Sequence, residues 1–229
     1  MQEFIKSLKN SMMHNVFNPW FDYDPQNDID QKSPEKRLSH LKQYLSERKD
    51  ADFLLLAEAL GYQGGHFSGI PMTSERILLG KLKHKFINPE HVFKGIEPYR
   101  TSLTSVKKDG FTEPTATIVW EELVKSQLDT RNFIFWNAFP WHPYRPDTAM
   151  LSNRTPSSEE IAEGIVVLRK LLKYAQKAKI IAVGKKAQSL LKKMGINAPQ
   201  IRHPANGGAT KFREQLQKEV TRLSVSNNT

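Results

Sequence analysis

The 229-residue chain is 38% hydrophobic and 25% charged, carries a formal net charge of +10 and has no cysteine. That size supports one domain with a full core, and no apolar run is long enough to span a bilayer. The missing cysteine excludes disulfides, thiolate zinc sites and cysteine-held iron–sulfur clusters. The charge is uneven: 14 Lys and Arg against 2 Asp and Glu between Ile165 and Thr229 give that segment +12 and leave the remainder slightly acidic. A basic final third fits a polyanionic partner, nucleic acid ahead of an anionic membrane surface. The first residues lack the continuous apolar segment of a signal peptide, which predicts a cytoplasmic protein.

In chain order, residues 1–35 are polar with isolated aromatics such as Trp20 and Phe21, and read as an extended arm packed on the side of the domain. The body is expected over 36–223 and a flexible tail over 224–229. Leucines at 38, 41 and 45 give Pro34 to Arg48 the period of an amphipathic helix. Phe53 to Ala57 is a run of apolar residues suited to a strand buried on both faces, with Glu58 at its end. Gly61-Tyr62-Gln63-Gly64-Gly65 cannot continue that strand, and Thr73-Ser74-Glu75 opens a helix expected to reach Lys83. Tyr62 and Phe67 read as an exposed aromatic pair in the intervening loop.

Residues 84–114 read as irregular, and Thr115 to Ser126 as a helix. Asn132 to Asn137 is a second apolar run ending in a polar residue, followed by a proline-rich loop. Ser157-Ser158-Glu159-Glu160 is a capped helix start. Lys179 to Gly184 is a third strand and Lys185 to Lys193 a helix. A short strand at Gln200 to Arg202 runs into His203-Pro204, before a last helix over 210–223. Strands alternating with helices predict an α/β fold, a three-layer α/β/α sandwich around a central four-stranded parallel sheet. Such a sheet gathers polar residues from its carboxyl ends into one crevice, here Glu58, Asn137 and His203. There is no GxGxxG, no GK[ST] loop and no nucleophile elbow. His142, His203 and Glu58 have no metal-ligand spacing, and neither metal nor cofactor is expected.

Four segments, in order, resemble the uracil-DNA glycosylase superfamily, in particular a small α/β branch without the iron–sulfur cluster. AEALGYQGG at 57–65 with SGIPMTSE at 68–75 is similar to its first motif. WNAFPWHPYRP at 136–146 corresponds to the middle one, NRTPSSEEI at 153–161 to the segment after it, and RHPANGGATKF at 202–212 to the last. The resemblance covers roughly residues 52–216. It implies hydrolysis of the N-glycosidic bond of a base flipped from DNA, leaving an abasic site, by a monomeric enzyme. The implied catalytic residues are Glu58 and His203. Gly61, Tyr62, Phe67, Met72 and Asn137 would surround the base. Pro71, His142, Arg145, Lys185, Pro204, Asn206, Gly207, Gly208 and Lys211 would meet DNA.

Several positions depart from the family pattern. Ala57 replaces a glycine, Leu60 a proline, and Ala59 stands where the best-known branch has a catalytic Asp. Met72 stands where a Phe usually stacks on uracil, which leaves open either uracil or a bulkier modified pyrimidine such as a glucosylated hydroxymethylcytosine, excised in phage defence. A non-catalytic nucleic-acid-binding module on the same fold is the other alternative. No lysine stands among the residues implied to be catalytic or to surround the base, so no lyase step is expected.

Overall fold

A computed structural model of the chain describes residues 1–9 and 13–225. In chain order the elements are α1 (Gln2–Ser7), β1 (Val16–Phe17), α2 (Ser33–Ser46), β2 (Phe53–Ala59), the single turns α3 (Gly65–Ser68), α4 (Glu75–Leu78) and α5 (Pro89–Val92), α6 (Pro114–Lys125), β3 (Phe133–Phe139), β4 (His142–Pro143), α7 (Ser158–Tyr174), β5 (Lys179–Val183), α8 (Lys185–Lys193), β6 (Gln200–Ile201) and α9 (Ala209–Val225). Of the tail expected at 224–229, Ser224 and Val225 end α9, and the rest lies outside the described residues.

The strands β3-β2-β5-β6 form a four-stranded parallel sheet. Leu54 to Leu56 on β2 and Ile134 to Trp136 on β3 are fully buried, as near-continuous apolar strands must be when both faces are covered. On one face, Trp136 meets Phe4 of α1 at 5.2 Å, and α7 crosses so close to β3 that a Cβ on Gly164 would stand 2.2 Å from the Ala138 carbonyl oxygen. On the other face, Trp120 of α6 packs edge-on against Phe135 at 5.1 Å. The free edge of β3 is closed from α2 and the turn behind it. The Tyr44 hydroxyl bonds both Phe133 O and Phe135 N, and Arg48 Nε donates to Phe133 O, which covers the start of that edge.

The arm is not extended throughout. Phe4 and Leu8, one helical turn apart, bury against the core and fold the start into α1. β1 pairs antiparallel with β4, and Trp20 stacks on Trp136 while donating to Gly69 O at 2.9 Å. The helix expected from Thr73 to Lys83 lasts only one turn. Gly80, at φ 66°, reverses the chain, and the buried Glu75 carboxylate caps a different segment, accepting from Thr101 N at 2.7 Å and Ser102 N at 2.9 Å.

The arm is fastened by an ion pair with no solvent exposure, Arg37 to Asp28, extended by Arg37 Nη2 to Asp22 O. Removing one member of such a pair strands a buried charge, so Asp28→Ala is expected to cost about 3–5 kcal/mol. Thermal unfolding would register that as a fall of roughly 6–20 °C. A change under about 1 kcal/mol would mean that the arm is held by its apolar contacts alone.

Candidate active site

Parallel pairing sets Ala57 beside Asn137 and Ala59 beside Phe139. Since side chains alternate across a strand, Asn137 shares its face with Ala57 and Ala59, and Glu58 emerges on the opposite face. Two connected spaces result. Asn137, Met72, Gly61 and His203 line a narrow recess of about 30 Å³. Glu58, His203, Gly61, Lys185, Lys186 and Arg202 line an open groove of about 690 Å³ at its mouth. His203 belongs to both. Asn137 and Glu58, expected in one crevice from the sequence, lie on opposite faces of the sheet.

Asn137 is 2% exposed and its Oδ1 has no hydrogen-bond partner, an unusual state for a buried amide oxygen and one that a ligand donor would relieve. His203 follows β6. Its Nδ1 accepts from the Ala205 backbone N–H at 3.1 Å, which assigns the proton of the neutral ring to Nε2. Burial, then the neighbouring Arg202, hold this imidazole below its usual pKa, against an opposing effect of Glu58. The turn that carries it is tight: a Cβ on Gly208 would lie 2.0 Å from the His203 carbonyl oxygen, so only glycine fits.

Glu58 forms an ion pair with Lys186 of α8 at 2.7 Å. Gly184, at φ 91°, starts α8 beside His203 and sets Lys185 and Lys186 along the groove. Arg154 enters the same groove, fixed by a two-pronged contact at 2.6 and 2.7 Å with Glu160, whose carboxylate also accepts from Ser157 N–H in the capping box of α7.

The other candidate residues are scattered more widely. Phe67 is fully buried, stacked on Phe111 at 4.0 Å, and does not face the recess. The exposed pair expected from the sequence is therefore a half-buried Tyr62, whose N–H donates to Asn153 Oδ1, and a core phenylalanine. Met72 does line the recess, at φ 48°, its carbonyl held by Trp120 Nε1 at 3.1 Å. His142 has no exposure: its Nδ1 contacts His66 Nδ1 at 2.9 Å and its Nε2 donates to Ser152 O at 2.7 Å. This buried histidine pair ties the glycine loop to β4, and burial depresses both residues, to about 4 for His66 and about 3 for His142. Pro71 and Pro204 are buried, whereas Arg145, Asn206, Gly207 and Lys211 are exposed. Among the described residues no group of three or more His, Asp or Glu is arranged to hold a metal ion.

Sequence reasoning missed Lys186, Arg202 and Glu113. The lysine was visible only as a member of a basic segment, and the arginine opened the last motif without a role of its own. Glu113, in an ordinary FTEP context, carried no signal, yet its carboxyl group borders both the recess and the groove.

No curated protein sequence matches the chain. The fold is similar to the crystal structure of wild-type SMUG2 from Pedobacter heparinus, with a TM-score of 0.61 at 12% identity over 100% of this chain and 97% of that one. Residues 84–225, which hold the middle and last motifs, match the family model described as the uracil DNA glycosylase superfamily. With the parallel sheet placing Asn137 and His203 over one recess, the chain belongs to the uracil DNA glycosylase superfamily.

Proposed function

We propose that this protein is a monofunctional DNA glycosylase that flips a uracil-sized pyrimidine into the recess and hydrolyses its bond to the sugar. The observation that carries this reading is the meeting of Asn137 and His203 in a recess that opens on a basic groove. A base inside a duplex must leave the stack before it is read. The Asn137 amide offers a donor and an acceptor to the base edge. As the bond breaks, negative charge collects on the base, and a donor fixed in advance at its carbonyl oxygen lowers the barrier most. His203 Nε2–H is that donor. Positive charge collects on the sugar at the groove, where Glu58 opposes it or orients the attacking water. Lys185, Lys186 and Arg202 supply a phosphate attraction that does not depend on sequence.

The recess of about 30 Å³ must widen to admit any base, and by less for a compact one than for a glucosylated one. The test is base release from one duplex carrying uracil and another carrying glucosylated hydroxymethylcytosine. Uracil alone is expected to be released, without strand cleavage and without a borohydride-trapped adduct. Release of the bulky base alone would move the base into the groove and the role toward defence against modified phage DNA. Salt-sensitive binding without release of any base would leave a DNA-binding module.

A further inference from the structure

Glu113 precedes α6, and its side chain makes no capping bond to that helix. It reaches inward instead: Oε2 lies so near the glycine loop that a Cβ on Gly64 would stand 2.1 Å from it. The stem of Glu113 is half-buried, but Oε2 is buried and has no hydrogen-bond partner. The neighbouring unpartnered atom in the same recess is Asn137 Oδ1. Two unsatisfied polar atoms in one recess destabilise the empty protein, and a ligand edge that bonds both removes the penalty.

We infer that Glu113 is a specificity-determining residue, whose carboxylic acid hydrogen-bonds a carbonyl oxygen of the flipped base while Asn137 Oδ1 accepts from the adjacent ring N–H. This rests on the glycosylase reading and narrows its substrate to keto bases of the uracil type. Burial pushes the Glu113 carboxyl up to about 7, so that in mildly acid solution it carries the proton it must donate. The ionisable groups that border it are His203 in the recess and Glu58, Arg154, Lys185, Lys186 and Arg202 in the groove.

The experiment compares wild type with Glu113→Gln and Glu113→Ala by two readouts. One is single-turnover uracil release across pH 5–9. The other is the binding preference for duplexes with 2′-fluorinated deoxyuridine over 2′-fluorinated deoxycytidine, which resist hydrolysis. Glutamine keeps a neutral donor, so E113Q is expected to stay within about threefold of wild type at pH 6 and to lose the decline in rate through pH 7 that ionisation of Glu113 imposes. E113A is expected to lose about 10- to 100-fold in release and its preference for uridine. Both variants should unfold about 2–6 °C higher at pH 8, because the buried acid is gone. E113A with unchanged release and preference would overturn the inference, as would an E113Q as impaired as E113A at every pH, the behaviour of a general base. A wild type that releases no base defeats the glycosylase reading, and the fluorinated duplexes then still report whether Glu113 selects the base.

Discussion

His203→Ala is expected to lower the single-turnover rate of uracil release about 10²–10³-fold, the cost of removing one preorganised donor from a developing oxyanion. Binding of the uracil duplex should change little, because the bond to the base oxygen strengthens only as charge moves onto the ring. The geometry behind this is specific. Ala205 N–H occupies Nδ1 at 3.1 Å, the Gly208 turn fixes the backbone, and the ring edge faces a recess it shares with Asn137. Histidine side-chain NMR is the matching measurement. Burial and Arg202 depress the imidazole pKa, so His203 should titrate below the usual histidine value of about 6.5. Release should stay independent of His203 ionisation as pH falls to 6.5 and respond only below that. A His203→Ala enzyme with wild-type rate would remove the imidazole from the mechanism.

Glu58→Gln is expected to reduce release about 10²-fold at unchanged or slightly tighter DNA binding. The rate falls because an amide opposes the sugar cation less well than a carboxylate and does not accept a proton from water. Binding is preserved because the change removes a negative charge from a groove that otherwise presents Lys185, Lys186 and Arg202 to phosphate. A second readout ties the residue to the site: Glu58 raises the His203 pKa, so the variant should shift the His203 titration to lower pH. If Glu58→Gln keeps the full rate, the groove wall rather than Glu58 manages the sugar charge. The split between rate and binding separates these outcomes, since a merely structural loss of the ion pair would weaken both.

Most of the framework was legible because it is written in local chemistry. The apolar runs at 53, 132 and 179 become β2, β3 and β5, and the alternation with amphipathic helices leaves a parallel sheet as the economical solution. The capping box at Ser157 and the glycine before Lys185 mark the starts of α7 and α8 in the sequence as in the structure. Failures cluster where a distant partner overrides local preference. Glu75 caps the Thr101–Ser102 segment and leaves its own helix one turn long. Phe4 and Leu8 turn a polar arm into α1 by burial that only the folded core provides.

The strand ends themselves could be placed from the sequence: Glu58 and Asn137 each close an apolar run, and His203 follows a short strand. Which of them meet could not, because strand order, pairing register and the alternation of side chains are properties of the assembled sheet. Register put Asn137 with Ala57 and Ala59, turned Glu58 to the other face, and left His203 to border both spaces. Folding also withdrew His142 and Phe67 into the core and brought in Glu113 from a segment without a motif. The sequence by itself determined the family, the parallel sheet and the ends from which the chemistry is drawn. The tertiary structure alone decided which groups share a low-dielectric recess, because burial and partnership are long-range quantities that no local pattern encodes.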